Sequence, residues 1–400
     1  MEIGLIDKIK GILKDRYPYF STLMLAAFIA LPMTITNVFA GICLAGFIIY
    51  DRFHNVVRGI KNDILPKLIC VYFFLIVFTS LREATVMAAL DIIIKRLLII
   101  LPLFFYNLKI SAVEERRILS VYVVAVSISC VLSLIQTFTH LSEINSLYEF
   151  SWYLSNNSVF PSNYLAVYVA FAVIIMFYSF FSNPLFSKFL NAVLFVILFF
   201  YITLLGSRTA FFSMALICCG YFIIESFKKR RHIIYSVLMV VGLVLLVTTI
   251  PYFKSRITVL FTVGLEADAR YYESLAAREI LTENYLSGVG YSGTKQALVK
   301  EYERIGFHEG VQNIYNAHNE FIQSALIFGV FGFALVVILY ITMILKALKT
   351  KKFLPLAFTL LFTLCSLTES LLERNKGIVF FVFFTGLLLI PKAPEPAANE

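Results

Sequence analysis

The chain has 400 residues, of which 60% are hydrophobic and 15% charged, with a formal net charge of +9. A mean hydropathy of +0.85 excludes an ordinary soluble domain and points to an all-α polytopic membrane protein. The excess of Lys and Arg would suit a nucleic-acid partner in a soluble protein; in a membrane protein, retention of basic loops in the cytoplasm accounts for it, and no nucleic acid is expected.

In chain order, Lys8, Lys10, Lys14 and Arg16 give the first 18 residues a basic amphipathic character. Residues 19–50 are then almost wholly apolar, too long for one comfortable span of about 20 residues. Pro32 and Thr34 near the middle predict a tight helical hairpin. No short apolar region followed by a small-residue cleavage site marks a signal peptide. Further apolar runs lie at 66–81, 87–106, 119–139, 163–181, 187–205, 209–225, 233–250, 318–345, 353–371 and 377–390, for about 12 spans in all. Cys43, Cys70, Cys130, Cys218, Cys219 and Cys365 fall inside these runs, without zinc-ligand or disulfide spacing, and read as packing residues.

Charge selects the topology. With the N-terminus inside, the cytoplasmic loops hold Arg52, Arg58 and Lys61; Lys109, Arg116 and Arg117; Lys228 to Arg231; and Lys346, Lys349, Lys351 and Lys352. The loop 140–162 falls outside and has no Lys or Arg. A single span over 19–50 would turn the basic loops outward, so the positive-inside rule requires the hairpin and puts both termini in the cytoplasm. Three parts follow: membrane helices over 1–250, an outward segment over 251–317, and further membrane helices with a cytoplasmic tail over 318–400.

A connection as long as 251–317 is usually functional or disordered. Helical spacing over 265–286 (Tyr271, Leu275, Leu281) and 294–305 (Leu298, Tyr302, Ile305) predicts a small helical cap on the outer surface. Gly288-Val-Gly290-Tyr-Ser-Gly293 matches the dinucleotide fingerprint formally. That fingerprint needs a preceding strand, whereas a helix precedes here, so the glycines read as a helix stop and tight turn.

Four features can carry chemistry. Arg208, in the outward turn Gly206-Ser-Arg-Thr209, either snorkels to headgroup phosphates or grips a phosphate bidentately. Arg270 and Arg278 lie about two helical turns apart, near one face; each is either a solvated charge paired with Glu266 or Glu273 or a second phosphate contact. His318 stands where a polar loop meets an apolar helix. With Asn316 as N-cap it occupies the first turn, where the helix dipole keeps imidazole neutral and able to accept a proton. Asp91, Lys95 and Arg96 lie inside an apolar run, a functional signal by default, although Asp91 and Lys95 can pair with each other at i,i+4.

At these residues a family resemblance emerges. His318-Asn319, nine residues, then Gly329-Val-Phe-Gly332 resembles the signature of the O-antigen ligase and polymerase superfamily. Leu205-Gly-Ser-Arg-Thr-Ala210 is similar to that family's outward arginine turn, and Arg270 followed by Gly288-Val-Gly290 to its loop segment. The motifs keep the family's order over roughly residues 200–335, while the first half is similar in hydropathy alone. Tyr285 stands where a proline is common, which leaves Arg270 or Arg278 as the loop arginine, with Arg270 favoured.

The resemblance implies a GT-C-like glycosyltransferase with a helical periplasmic cap in the bacterial inner membrane. It would move polysaccharide from undecaprenyl diphosphate to a hydroxyl of the lipid A–core oligosaccharide. A polymerase would instead use another carrier-linked repeat as acceptor. It implies catalytic roles for Arg208, Arg270 and His318, with Ser207, Tyr291, Arg278, Asn316 and Asn319 among the substrate contacts. No cofactor is implied. The outward segments hold no clustered acidic motif of the D-x-D kind, so metal-independent, inverting transfer is expected, with guanidinium groups stabilising the diphosphate leaving group. From other classes, a transporter should show internal repeats or paired broken helices, and no clear repeat is visible. A non-catalytic scaffold would not need outward arginines at membrane level.

Overall fold

The computed structural model describes residues 16–50, 53–182, 184–226, 234 and 268–391. All regular structure among them is helical. Among the described residues, four helices are long and apolar enough to cross a membrane, and five if a pair bent by 100° at Asp63 counts as one span. Several other apolar helices are shorter, so about 12 spans are not each carried by a helix of spanning length. The expected span 233–250, residue 234 apart, and the start of the outward segment, 251–267, lie outside the described residues.

The predicted hairpin is present. Helix α1 (16–28) and α2 (Met33–Tyr50) run antiparallel. Phe28 stacks on Phe39, and the Tyr17 hydroxyl donates to the Ile42 carbonyl. The break at 29–32 leaves carbonyls without helical partners, and in lipid each unpaired one would be costly. The buried Lys376 ammonium donates to Ile29 O, Leu31 O and Thr36 Oγ1 and lies 4.4 Å from the Phe160 ring centroid. α3 (Phe53–Asn62) then turns sharply into α4 (Ile64–Ser80), whose N-cap is Asp63.

The expected span 87–106 is divided. α5 (Val86–Arg96) passes into a 3-10 helix, Leu97–Asn107, that contains Pro102, a residue that withholds an N–H and crowds the preceding turn. α6 (Ala112–Phe138), α7 (Leu147–Asn156), α8 (Ser162–Phe181), α9 (Lys188–Leu204) and α10 (Arg208–Ser226) follow. Helix α8 is the most enclosed of the spanning helices. Its Tyr168 and Phe171 meet Tyr122 of α6 and Phe380 further along the chain. The Tyr122 hydroxyl reaches the Tyr168 carbonyl at 2.7 Å, which spares a polar atom from burial without a partner.

Residues 268–313 supply α11 (Ala269–Asn284), α12 (Gly290–Arg304) and the short α13 (His308–Asn313). As the spacing predicts, Leu298 and Tyr302 are buried. They join Ala276, Ala277, Ile280 and Phe307 in a small core of their own. The expected span 318–345 is broken instead into α14 (Glu320–Phe328) and α15 (Val330–Thr350), and α16 (Phe353–Ser366) and α17 (Asn375–Phe384) complete the chain.

The break falls at Gly329 and has a mechanical reason. Gly288 and Gly329 both have positive φ, 60° and 71°, the region open to glycine. A Cβ on Gly329 would lie 2.1 Å from Leu286 O, and one on Gly288 would lie 2.6 Å from Gly329 N. The two turns also exchange backbone bonds, Val289 N to Leu326 O and Val330 N to Tyr285 O, both 2.7 Å. From the α4–α5 loop, Arg82 donates to Ser287 O and Gly288 O, and Glu83 accepts from Ser292.

Contacts sort to two ends of the bundle. At one, Lys346 meets Asp63, Arg16 meets Glu114, and Asn55 meets Asn107. At the other lie the Arg82 clasp, Asn163 with Glu369, and Arg208 with Asp268.

Gly329→Ala should lower the apparent melting temperature in nanodiscs, because the added methyl meets backbone and costs on the order of 1–3 kcal/mol. Gly41→Ala, where nothing lies within 4 Å, should leave it unchanged or raise it. Equal behaviour of the two variants would contradict the interlock.

Candidate functional site

Arg208 opens α10 directly after the turn from α9, and Arg270 lies in the first turn of α11, whose N-cap is Asp268. Although far apart in sequence, both line one cavity of about 130 Å³ with Asn163, Ser207, Thr209, Thr368 and Glu369. The Arg208 guanidinium is 3.0 Å from Asp268 Oδ2. Arg270 Nη2 is 3.3 Å from Thr368 O and 3.7 Å from Glu369 Oε1. Arg270 Nε is buried with no hydrogen-bond partner among the described residues, an expensive state for a donor.

Each arginine is thus attended by a carboxylate that the sequence reading did not single out. Burial pushes the Asp268 carboxyl up, but the Arg270 N–H and the Arg208 guanidinium outweigh it, and the group sits below its usual range. Glu369 is 8% exposed and accepts from Asn163 Nδ2 at 2.6 Å. Burial holds its carboxyl above the usual range, only partly offset by His318 and Arg270.

His318 departs from expectation in place and in state. Asn319, not Asn316, is the N-cap of α14, accepting from Phe321 N and Ile322 N. His318 therefore precedes the helix, with φ at 39°, a strained setting for a side-chain-bearing residue. Asn316 Oδ1 accepts from His318 N at 2.9 Å and fixes that turn. The ring is set by Glu273 of α11, whose Oε1 lies 2.7 Å from Nδ1. Burial pulls the imidazole pKa down, but the Glu273 bond and charge, with Glu369 beyond it, outweigh burial and the opposing Arg270, and raise it. The helix dipole does not keep this ring neutral; the carboxylate favours its proton. With Nδ1 toward Glu273, Nε2 is the ring nitrogen that this bond leaves open.

The remaining residues fall into two groups. Asn319 Nδ2 donates to Leu367 O, and Asn316 Nδ2 to Glu373, so both fasten the His318 turn to the loop that carries Glu369. Ser207 lines the cavity. Tyr291 is not among its lining residues: the Arg96 guanidinium sits 4.1 Å from its ring centroid, and Phe328 meets it edge-on. Arg278 is exposed on α11 and does not line the cavity. Asp91 and Lys95 pair with each other at 2.6 Å, both more than half exposed, which is the bland alternative. Glu273 was visible only as a partner for arginines, since its pairing with His318 spans 45 positions. Among the described residues, no group of three or more His, Cys, Asp or Glu is placed to hold a metal ion.

The described residues of this apolar helical protein thus place two guanidinium groups over one small cavity, beside a Glu–His pair. Residues 193–337 match the model of the family described as O-antigen ligase. The chain carries a domain of that family, in agreement with the resemblance read from its motifs, and the match points to a glycosyl-transfer enzyme of O-antigen biosynthesis in a multi-pass membrane protein. No curated protein matches the chain.

His318 should titrate above the ordinary 6.5 of an imidazole, and Glu273→Gln should move that titration downward, because burial then acts without its carboxylate. Histidine NMR on the full chain in nanodiscs measures both; a midpoint indifferent to Glu273 would contradict the pairing.

Proposed function

We propose that the protein is an O-antigen ligase of the GT-C-like class. It joins polysaccharide from undecaprenyl diphosphate to a hydroxyl of the lipid A–core oligosaccharide, at the periplasmic face of a bacterial inner membrane, without a metal. In this reading the chain crosses the membrane about 12 times, with membrane helices over 1–250 and 318–400, and the segment 251–317 forms a periplasmic cap. The single observation that carries the reading is the shared cavity of Arg208 and Arg270, next to the Glu273–His318 pair.

The diphosphate of the donor sits between Arg208 and Arg270, and Arg270 Nε finds an acceptor there. His318 Nε2 takes the proton of the acceptor hydroxyl while Nδ1–H donates to Glu273. A ring that binds its proton more tightly is a stronger base once neutral. The acceptor oxygen bonds to the anomeric carbon as the bond from that carbon to the diphosphate oxygen breaks. Both electrons leave with the diphosphate, whose growing charge the guanidinium groups stabilise. One displacement inverts the anomeric centre. Ser207 completes the phosphate site, and Asn316 and Asn319 hold His318 in place. Arg278 and Tyr291 are left for the sugar chain and for cap docking.

His318→Ala should reduce transfer by about 10²–10⁴-fold, and Arg208→Ala or Arg270→Ala by about 10²–10³-fold, in a purified system with folding checked. Turnover near wild type in any one removes that residue's role. Deletion of the protein should leave carrier-linked polymer intact and lipopolysaccharide uncapped. A core that carries a single repeat would instead identify a polymerase, and labelled-substrate flux without glycan transfer a transporter.

A further inference from the structure

A second cavity, of about 560 Å³, lies away from the Arg208 site, between the start of α4, the last turns of α15 and the chain from Leu388 to Pro391. Part of its lining is polar. Asp63, the N-cap of α4, accepts from Leu65 N, from the Tyr106 hydroxyl at 2.9 Å and from Lys346. Lys346 thereby neutralises Asp63. Lys349, one turn further along α15, also lines the cavity and has no hydrogen bond or ion pair among the described residues.

The rest of the lining is largely aliphatic: Ile64, Leu345, Leu388, Leu389 and Ile390. Ile64 and Leu345 are also more than half exposed, so the cavity opens on an apolar surface. That surface runs along α15 through Ile341, Leu345 and Leu348, each at least half exposed, at spacings of four and three that keep them on one side. Lys349 stands four residues after Leu345 and so ends the same side. Helix α15 is long and apolar enough to cross a membrane, and a rise of 1.5 Å per residue puts Lys346 and Lys349 roughly 24–29 Å from its start beside Gly329. A hydrocarbon core is about 30 Å thick, so these lysines lie near the membrane boundary opposite the glycine pair.

We infer that this cavity holds a lipid with an anionic headgroup. Its phosphate sits on Lys349 and on the ammonium N–H bonds that Lys346 does not give to Asp63, and an acyl chain lies along Leu388, Leu389 and Ile390. Two observations choose such a lipid. The aliphatic lining and the mouth on an apolar surface offer a free phosphate nothing, whereas they offer an acyl chain a continuous contact. The one charge not neutralised within the lining is positive, and no Asp or Glu stands between Glu320 and Glu369 in the sequence. Basic pockets between membrane helices select anionic headgroups. The inference needs the chain to span a membrane and makes no use of the transfer reading.

The test titrates the full chain, purified in dodecyl maltoside and depleted of lipid, with phosphatidylglycerol or with phosphatidylcholine of the same acyl chains. Native mass spectrometry reads the bound lipid. Phosphatidylglycerol should be retained several-fold more tightly. Lys349→Gln, at an exposed position that leaves the fold intact, should weaken it about fivefold, and Lys349→Arg should restore it. Lys352→Gln, outside the lining, should leave it unchanged. Equal retention of the two lipids would show that no headgroup is read, and would overturn the inference. Equal loss in Lys349→Gln and Lys352→Gln would mean attraction to the basic surface as a whole, and a cavity filled by the chain's own residues 392–400 would retain neither lipid; either result overturns it. Displacement of phosphatidylglycerol by inorganic phosphate, but not by chloride at equal ionic strength, would assign the site to the free ion instead. The titration needs no turnover, so its failure leaves the transfer reading standing.

Discussion

The arrangement depends on two backbones touching. Gly288 and Gly329 meet where neither tolerates a Cβ, and the backbone around them exchanges hydrogen bonds, Val289 N to Leu326 O and Val330 N to Tyr285 O, between α14–α15 and the α11–α12 turn. Glu273 lies upstream of one glycine and His318 upstream of the other. Their 2.7 Å contact is therefore the far end of a lever whose pivot is the glycine pair. Arg82 and Glu83 close the pivot from a third element. A side chain at either glycine would push α11 away from the turn that carries His318 and so part the Glu273–His318 pair.

Several helix interruptions among the described residues are answered by a specific side chain. Lys376 answers the hairpin break, Ser151 and Ser155 the end of α9, and Asn319 the start of α14. Backbone groups without partners are costly where water is scarce, so each break must bring its own donor or acceptor. The breaks are also where chemistry becomes possible, because irregular backbone turns side chains toward a cavity instead of a lipid-facing stripe. Arg208 and His318 both stand at such interruptions, and the satisfied carbonyls and amides around them hold those turns rigid.

Much of this was legible in the sequence because it is written in local pattern. Pro32 within a long apolar run signalled the hairpin, and spacing found the helices that bury Leu298 and Tyr302. Arg208, Arg270 and His318 stood out as polar residues at apolar borders. Pairing across the fold was not legible. Glu273, Glu369 and Arg82 look like ordinary surface charges until the chain is folded, and the state of His318 was misjudged for that reason. A helix dipole can be read from three neighbouring residues, but a carboxylate from a distant helix cannot, and at 2.7 Å the carboxylate wins. The break at Gly329 escaped notice because the apolar run continues through it, and only the close approach of Leu286 O explains why a glycine is needed there.

The carboxylates beside the two arginines also change what the cavity does. Two bare guanidinium groups in a small, partly enclosed space would repel each other and pay heavily for lost water. Asp268 and Glu369 remove that penalty while no anion is bound. A diphosphate then need not be paid for by stripping water from a naked arginine; it displaces one oxygen ligand with another. Asp268 holds its charge firmly, whereas Glu369 is buried, with its carboxyl above the usual range, and so is the easier of the two to neutralise. It accepts from Asn163 and lies within electrostatic reach of His318. Protonation of Glu369 on arrival of an anion would keep the local charge near balance, and it would also withdraw one of the charges that raise the His318 pKa. On the proposed reading, an anion in the cavity and the proton on His318 would be coupled through this one buried carboxylate.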